Sequence, residues 1–172
     1  MSSYTFITNL SIVHFTTLLG SALSLGCFKT QEPVVATGGK TTALDYIPAS
    51  TFNFAIGISG LSGAFALFFL ITNFYMWKKY AKKSKWMHIA VLGIAAFLML
   101  FVWIAAATMG SQLSQFCGRA GADCGKTLST AGKNIDIIYA GVGSAAIAGV
   151  LWAIYLVVEI YQYRARFAAN RF

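Results

Sequence analysis

Charged side chains are scarce. Asp, Glu, Lys and Arg make up 10% of the 172 residues, against about 25% in an ordinary soluble domain. With 58% of the residues apolar, a water-soluble fold would lack the polar side chains to cover its surface. Acidic residues are the scarcest, five against thirteen basic ones, for a net charge of +8. In a soluble protein that excess would point to a polyanion. Here the basic residues are segregated between apolar runs, and no domain is left outside them to hold nucleic acid. Three cysteines, Cys27, Cys117 and Cys124, are too few for a disulfide-rich scaffold. No Cys-x-x-Cys, Walker loop, nucleotide fingerprint or His-Glu-x-x-His motif is present. No Asp, Glu, Lys or Arg falls at the middle of an apolar run, which speaks against an ion-coupled transporter or proton pump. Neither a carboxylate pair nor a nucleophile–His–acid set stands out, so the sequence reads as non-enzymatic.

What the sequence does have is four long apolar runs, at 7–27, 52–77, 86–109 and 138–160. At about 1.5 Å per residue each crosses the roughly 30 Å hydrocarbon core of a bilayer. No Lys or Arg precedes the first run, so it reads as a span rather than a cleaved signal peptide. The Leu25-Gly26-Cys27 end resembles a lipoprotein cleavage site only faintly, for the same reason. Segment 28–51 holds both prolines, Pro33 and Pro48, and Gly38-Gly39, which argue against a long helix; Val34-Val35 and Ala43–Ile47 are short strand candidates there. Asn53 is a candidate cap for the second run, with Phe52 as its staple. Segment 110–137 reads as a second loop, given turn character by Gly118, Gly121 and Gly125.

Charge sets the orientation. The turn 78–85 holds Lys78, Lys79, Lys82, Lys83 and Lys85, or +5. Glu159 with the tail arginines Arg164, Arg166 and Arg171 gives +2, and segments 28–51 and 110–137 give 0 and +1. The positive-inside rule then places both termini and the lysine turn in the cytoplasm and both larger loops outside. The expected fold is all-α: a single-domain polytopic membrane protein, four transmembrane helices in an antiparallel bundle with cytoplasmic N- and C-termini. The plasma membrane or endomembrane system is favoured over an organellar membrane.

Small residues recur at helix-packing spacing. Gly141, Ala145, Gly149 and Ala153 lie four apart in the last run. Gly20 and Ser24 stand in the first run, and Ser59 and Gly63 in the second, with Gly60 and Ala64 beside them. Such faces bring helix backbones together in lipid, where packing rather than the hydrophobic effect holds helices. They serve either the bundle itself or self-association and docking with a larger membrane complex. Cys117 and Cys124, with six residues between them, are spaced for a small disulfide-closed loop in an oxidising compartment; two free thiols are the alternative. Cys27 reads as a buried apolar residue.

The two histidines, His14 and His88, are the cofactor candidates. A bis-histidine haem between their helices is imaginable. The ordinary reading is a helix–helix hydrogen bond for His14 and headgroup contact for His88. No cofactor beyond bound lipid is expected. Glu159 is expected to pair with Arg164 or snorkel to water. Trp77, Trp86, Tyr155, Tyr161 and Tyr163 read as interfacial anchors, and Trp103 and Trp152 as helix contacts. The lysines of the turn serve topology first and anionic-lipid contact second.

The lysine turn and the Cys117/Cys124 pair give the layout a resemblance to the MARVEL-like and related tetraspan membrane proteins. The claudin-like Trp…Gly-Leu-Trp…Cys…Cys pattern and the Cys-Cys-Gly signature of true tetraspanins are absent. The resemblance implies membrane organisation, trafficking or assembly. The expected function is an integral membrane scaffold or assembly protein that contacts lipid and forms a homo-oligomer or a larger membrane complex. The alternatives are an accessory subunit of a bioenergetic or photosynthetic complex, or an oligomeric channel.

Overall fold

The computed structural model of the chain describes residues 3–31, 48–79, 84–121, 124–130 and 133–168. The strand candidates of segment 32–47 lie outside these residues, as do Lys82 and Lys83 and the side chains of Lys78 and Lys79.

Four long helices account for most of it: α1 (Ser3–Gln31), α2 (Ala49–Lys79), α3 (Lys85–Ala120) and α5 (Ile135–Tyr163). A short α4 (Cys124–Thr130) lies between α3 and α5, and a π-helical turn (Arg164–Ala168) follows α5. All four long helices are long and apolar enough to cross a membrane. The protein is thus an integral membrane protein built as a four-helix bundle.

Each helix runs past the apolar run that marks it, because polar positions at its ends still serve the interior. Phe28 and Gln31 belong to α1, not to a loop; Phe28 is fully buried, and Gln31 Oε1 accepts the backbone N–H of Asn134 at 2.7 Å. Helix α2 begins at Ala49, so Asn53 is an exposed helix residue rather than a cap. The largest difference is in α3, which continues eleven residues beyond 109. Leu113 and Phe116 extend its buried face, and neither Gly110 nor Gly118 stops it. It ends at Gly121, whose φ of 61° needs a residue without a Cβ and whose N–H bonds to the Cys117 carbonyl. Ser84 caps the start of α3 by accepting from Met87 N–H at 3.3 Å, and Asn134 caps α5 by accepting from Asp136 N–H at 2.9 Å.

The interior follows a seven-residue pattern. On α1 the buried positions include Leu10, His14, Thr17, Ser21, Ser24, Phe28 and Gln31, alternating steps of four and three. On α5 they include Ile138, Gly141, Ala145, Ala148, Trp152, Tyr155 and Glu159. This is the spacing of a left-handed helix seam. Each helix touches its two neighbours around a square, with α2 and α3 in thinnest contact.

Polarity is inverted relative to a soluble protein. His14, Ser24, Ser62, His88 and Glu159 are fully buried, while Leu23, Phe68, Ile71, Ile147 and Val157 are exposed. Lipid is the solvent that makes this distribution stable: an outward Leu costs nothing there, and an outward Glu would.

Candidate functional site

The small residues bring α1, α2 and α5 close. A Cβ added to Gly20 would meet the Ser144 carbonyl oxygen at 3.3 Å, and one on Gly141 would meet Phe28 Cε1 at 2.8 Å. Gly149 receives the Trp103 indole, 2.8 Å from such a Cβ. Gly63 faces Ser21, and Gly60 faces Leu25. Ala145 is buried and Ala153 half-buried, whereas Ala64 is exposed and lies outside the interior. The face of α5 carrying Gly141 and Gly149 is therefore filled from within the chain.

Close approach lets short hydroxyls meet. Ser24 Oγ and Ser59 Oγ are 2.9 Å apart, and Ser21 Oγ and Ser62 Oγ 2.8 Å, all buried. Trp152 Nε1–H donates to Ser62 Oγ at 2.8 Å from across the bundle. Hydroxyls in an apolar surround need such partners, since an unmet buried polar group costs about 1–3 kcal/mol.

One helical turn along α5 from Trp152 the interior becomes ionisable. Tyr155 Oη donates to Glu159 Oε1 at 2.9 Å, and His88 Nδ1 is hydrogen-bonded to Glu159 Oε2 at 2.8 Å. All three side chains are at most 1% exposed. Tyr155 and Glu159 are one turn apart on α5, and His88 enters from the first turn of α3. Three of the interfacial and headgroup expectations are corrected here. Glu159 neither snorkels nor relies on Arg164, because the seven-residue pattern turns it inward, where His88 and Tyr155 meet both oxygens. His88 is buried rather than at the headgroups, for the same reason on α3. Tyr155 is likewise an interior residue, not an anchor; Trp86 and Tyr161 are exposed.

His14 packs among rings. Its centroid is 4.2 Å from Tyr155 in an edge-on arrangement, 5.5 Å from Phe69 and 6.1 Å from Trp152. Tyr155 touches the His14 ring and bonds to Glu159, which bonds in turn to His88, so these two side chains link the two imidazoles. Among the described residues, no group of three or more His, Cys, Asp or Glu side chains is placed to hold a metal ion.

At the other end of α3, Cys117 and Cys124 form a disulfide. It ties α4 to α3. Cys124 and Leu128 are buried with Phe116 and Leu113 in one apolar cluster, so α4 is docked as well as tethered. Cys27 is a free, half-buried thiol. Lys85 is exposed at the start of α3.

Sequence reasoning missed the His88–Glu159–Tyr155 cluster because its members are 71 residues apart and share no local motif. A signal was there: Ala145, Ala148, Trp152 and Tyr155 set a four–three rhythm whose next step lands on Glu159, and Leu98, Ala95 and Val91 count back to His88.

The fold and its inverted polarity define a polytopic, membrane-spanning four-helix bundle. No protein-family model matches the sequence, and comparison with curated proteins finds no match.

Proposed function

We propose that the chain is a non-enzymatic membrane scaffold or assembly protein. Its bundle is antiparallel, with the N- and C-termini and the lysine turn on the cytoplasmic side of a plasma or endomembrane bilayer. It self-associates or docks with partner membrane proteins, in keeping with the MARVEL-like layout. The observation that carries this reading is the reach of α3. Its 36 residues make a helix about 54 Å long, well beyond a hydrocarbon core of about 30 Å. The excess turns carry α4, fixed by the Cys117–Cys124 disulfide and by Leu128. A rigid element held beyond the bilayer is a platform for contact with neighbouring proteins. With the Gly141 and Gly149 face filled from within, that platform and the lipid-facing side chains remain as the contact surfaces. Docking through the small-residue faces is accordingly narrowed to the outer turns.

Native mass spectrometry after gentle extraction from the source membrane tests this. The expected result is a fixed-stoichiometry oligomer or heteromer that dissociates when α4 is undocked by Leu128→Asp. A monomer with no co-purifying protein, for wild type and variant alike, would contradict it.

A further inference from the structure

The scaffold reading makes no use of the buried ionisable cluster. We propose that His88, Glu159 and Tyr155 form a proton-binding site, reached by water from the lysine-turn end of the bundle. This inference stands independently of the scaffold reading.

The first support is the geometry of His88. Its Nδ1 is committed to Glu159 Oε2 at 2.8 Å. The opposite ring nitrogen, Nε2, is buried and has no hydrogen-bond partner among the described residues. The ring is flanked edge-on by Tyr163 and Phe167, with centroids 6.4 and 5.8 Å away. His88 lies one turn from Lys85 at the exposed start of α3.

The second support is that the orphan is not alone. Asn73 Nδ2 and Gln162 Nε2 are also buried without a hydrogen-bond partner among the described residues. Asn73 is one turn beyond Phe69, whose ring is 5.8 Å from Tyr155; Gln162 is one turn beyond Glu159. Three polar side chains from α2, α3 and α5 therefore share one end of the bundle. Groups of this kind are met by internal water making two to four hydrogen bonds.

The chemistry balances without a co-reactant. A hydronium ion gives its proton to the lone pair of His88 Nε2, breaking one O–H bond and leaving a water molecule. The Nδ1 proton moves to Glu159 Oε2, breaking one N–H bond and making one O–H bond. A neutral imidazole and a neutral carboxylic acid result, with one proton gained overall. Tyr155 Oη continues to donate to Oε1 and holds the acid in place. Among the described residues, the pair is faced by Tyr155 and Tyr163 from α5, by His14 from α1 across the Tyr155 ring, and by Phe167 from the terminal turn. From α2 the described residues bring Phe69 and Asn73, neither of which titrates. The far half of the bundle is closed by Phe28, Phe52, Met109 and Leu113, each fully buried. The proton accordingly leaves by the route it entered, and the site binds rather than conducts.

Infrared difference spectroscopy on the full chain in lipid nanodiscs tests the proposal, comparing spectra as the pH is stepped down and back up. The expected result is a reversible carbonyl band of a buried carboxylic acid, lost in Glu159→Gln and shifted but retained in Tyr155→Phe. Circular dichroism checks that each variant is folded. Should Glu159→Gln fail that check, the Tyr155→Phe shift decides. A wild-type spectrum without such a band, or a band identical in every folded variant, would overturn the assignment.

Discussion

At the lysine-turn end, α3 and α5 are joined by Glu159, which receives hydrogen bonds from His88 and Tyr155. At the opposite end, the same two helices are joined by Met109, Leu113, Phe116 and Ile138, with Cys124 and Leu128 of α4 packed against them. The contrast follows from the solvent. Within lipid, an apolar side chain gains little by leaving the tails for the interior, so polar bonds and close packing must select the neighbour. Where, as proposed, the outer turns of α3 pass the hydrocarbon core, water returns and burial of Leu113, Phe116 and Leu128 is again favourable. A disulfide there adds a constraint on the unfolded chain that an oxidising compartment permits.

The comparison can be broken from either side. Glu159→Ala should have the largest effect, about 2–6 kcal/mol, because it leaves two buried donors, on His88 and Tyr155, without an acceptor at about 1–3 kcal/mol each. Unfolding followed in mild detergent should show the loss, and hydrogen exchange should place it at the lysine-turn end. Cys117→Ser with Cys124→Ser should cost about 2.5 kcal/mol by loop-closure entropy. Exchange should then rise in α4 and the end of α3, with His88 and Glu159 unaffected. Gly141→Leu should cost about 1–3 kcal/mol by overpacking, since even its Cβ would meet Phe28 at 2.8 Å. Gly26→Ala is the matched control, as nothing lies within 4 Å of its added Cβ, and its melting temperature should equal or exceed that of wild type because Ala is the better helix former. Ser62→Ala should have the smallest effect, about 0.6–1.7 kcal/mol, measured by the same unfolding assay.

Much of the fold was legible because the spans are written as long, predominantly apolar runs, and lipid imposes helices on such runs. The Cys117–Cys124 disulfide was legible from spacing. The end of α3 was not. Gln112, Gln115 and Gly118 gave 110–120 the composition of a loop, but Leu113 and Phe116 lie on the buried face and carry the helix on. The site was half legible. Its histidines stood out by rarity, yet their surroundings come from tertiary packing. Glu159, near the tail arginines, read as a residue turned to water. Position in the helix seam, not distance from the end of the apolar run, decided which way it faces.

The most direct measurement is a double-mutant cycle on His88→Ala and Glu159→Ala, with unfolding free energies taken in one lipid or detergent system. A buried hydrogen-bonded pair predicts a coupling of at least about 1 kcal/mol, with the double variant less damaged than the sum of the single ones. Single effects that add to within about 0.3–0.5 kcal/mol would contradict the account, showing that His88 and Glu159 do not share a bond in the folded protein.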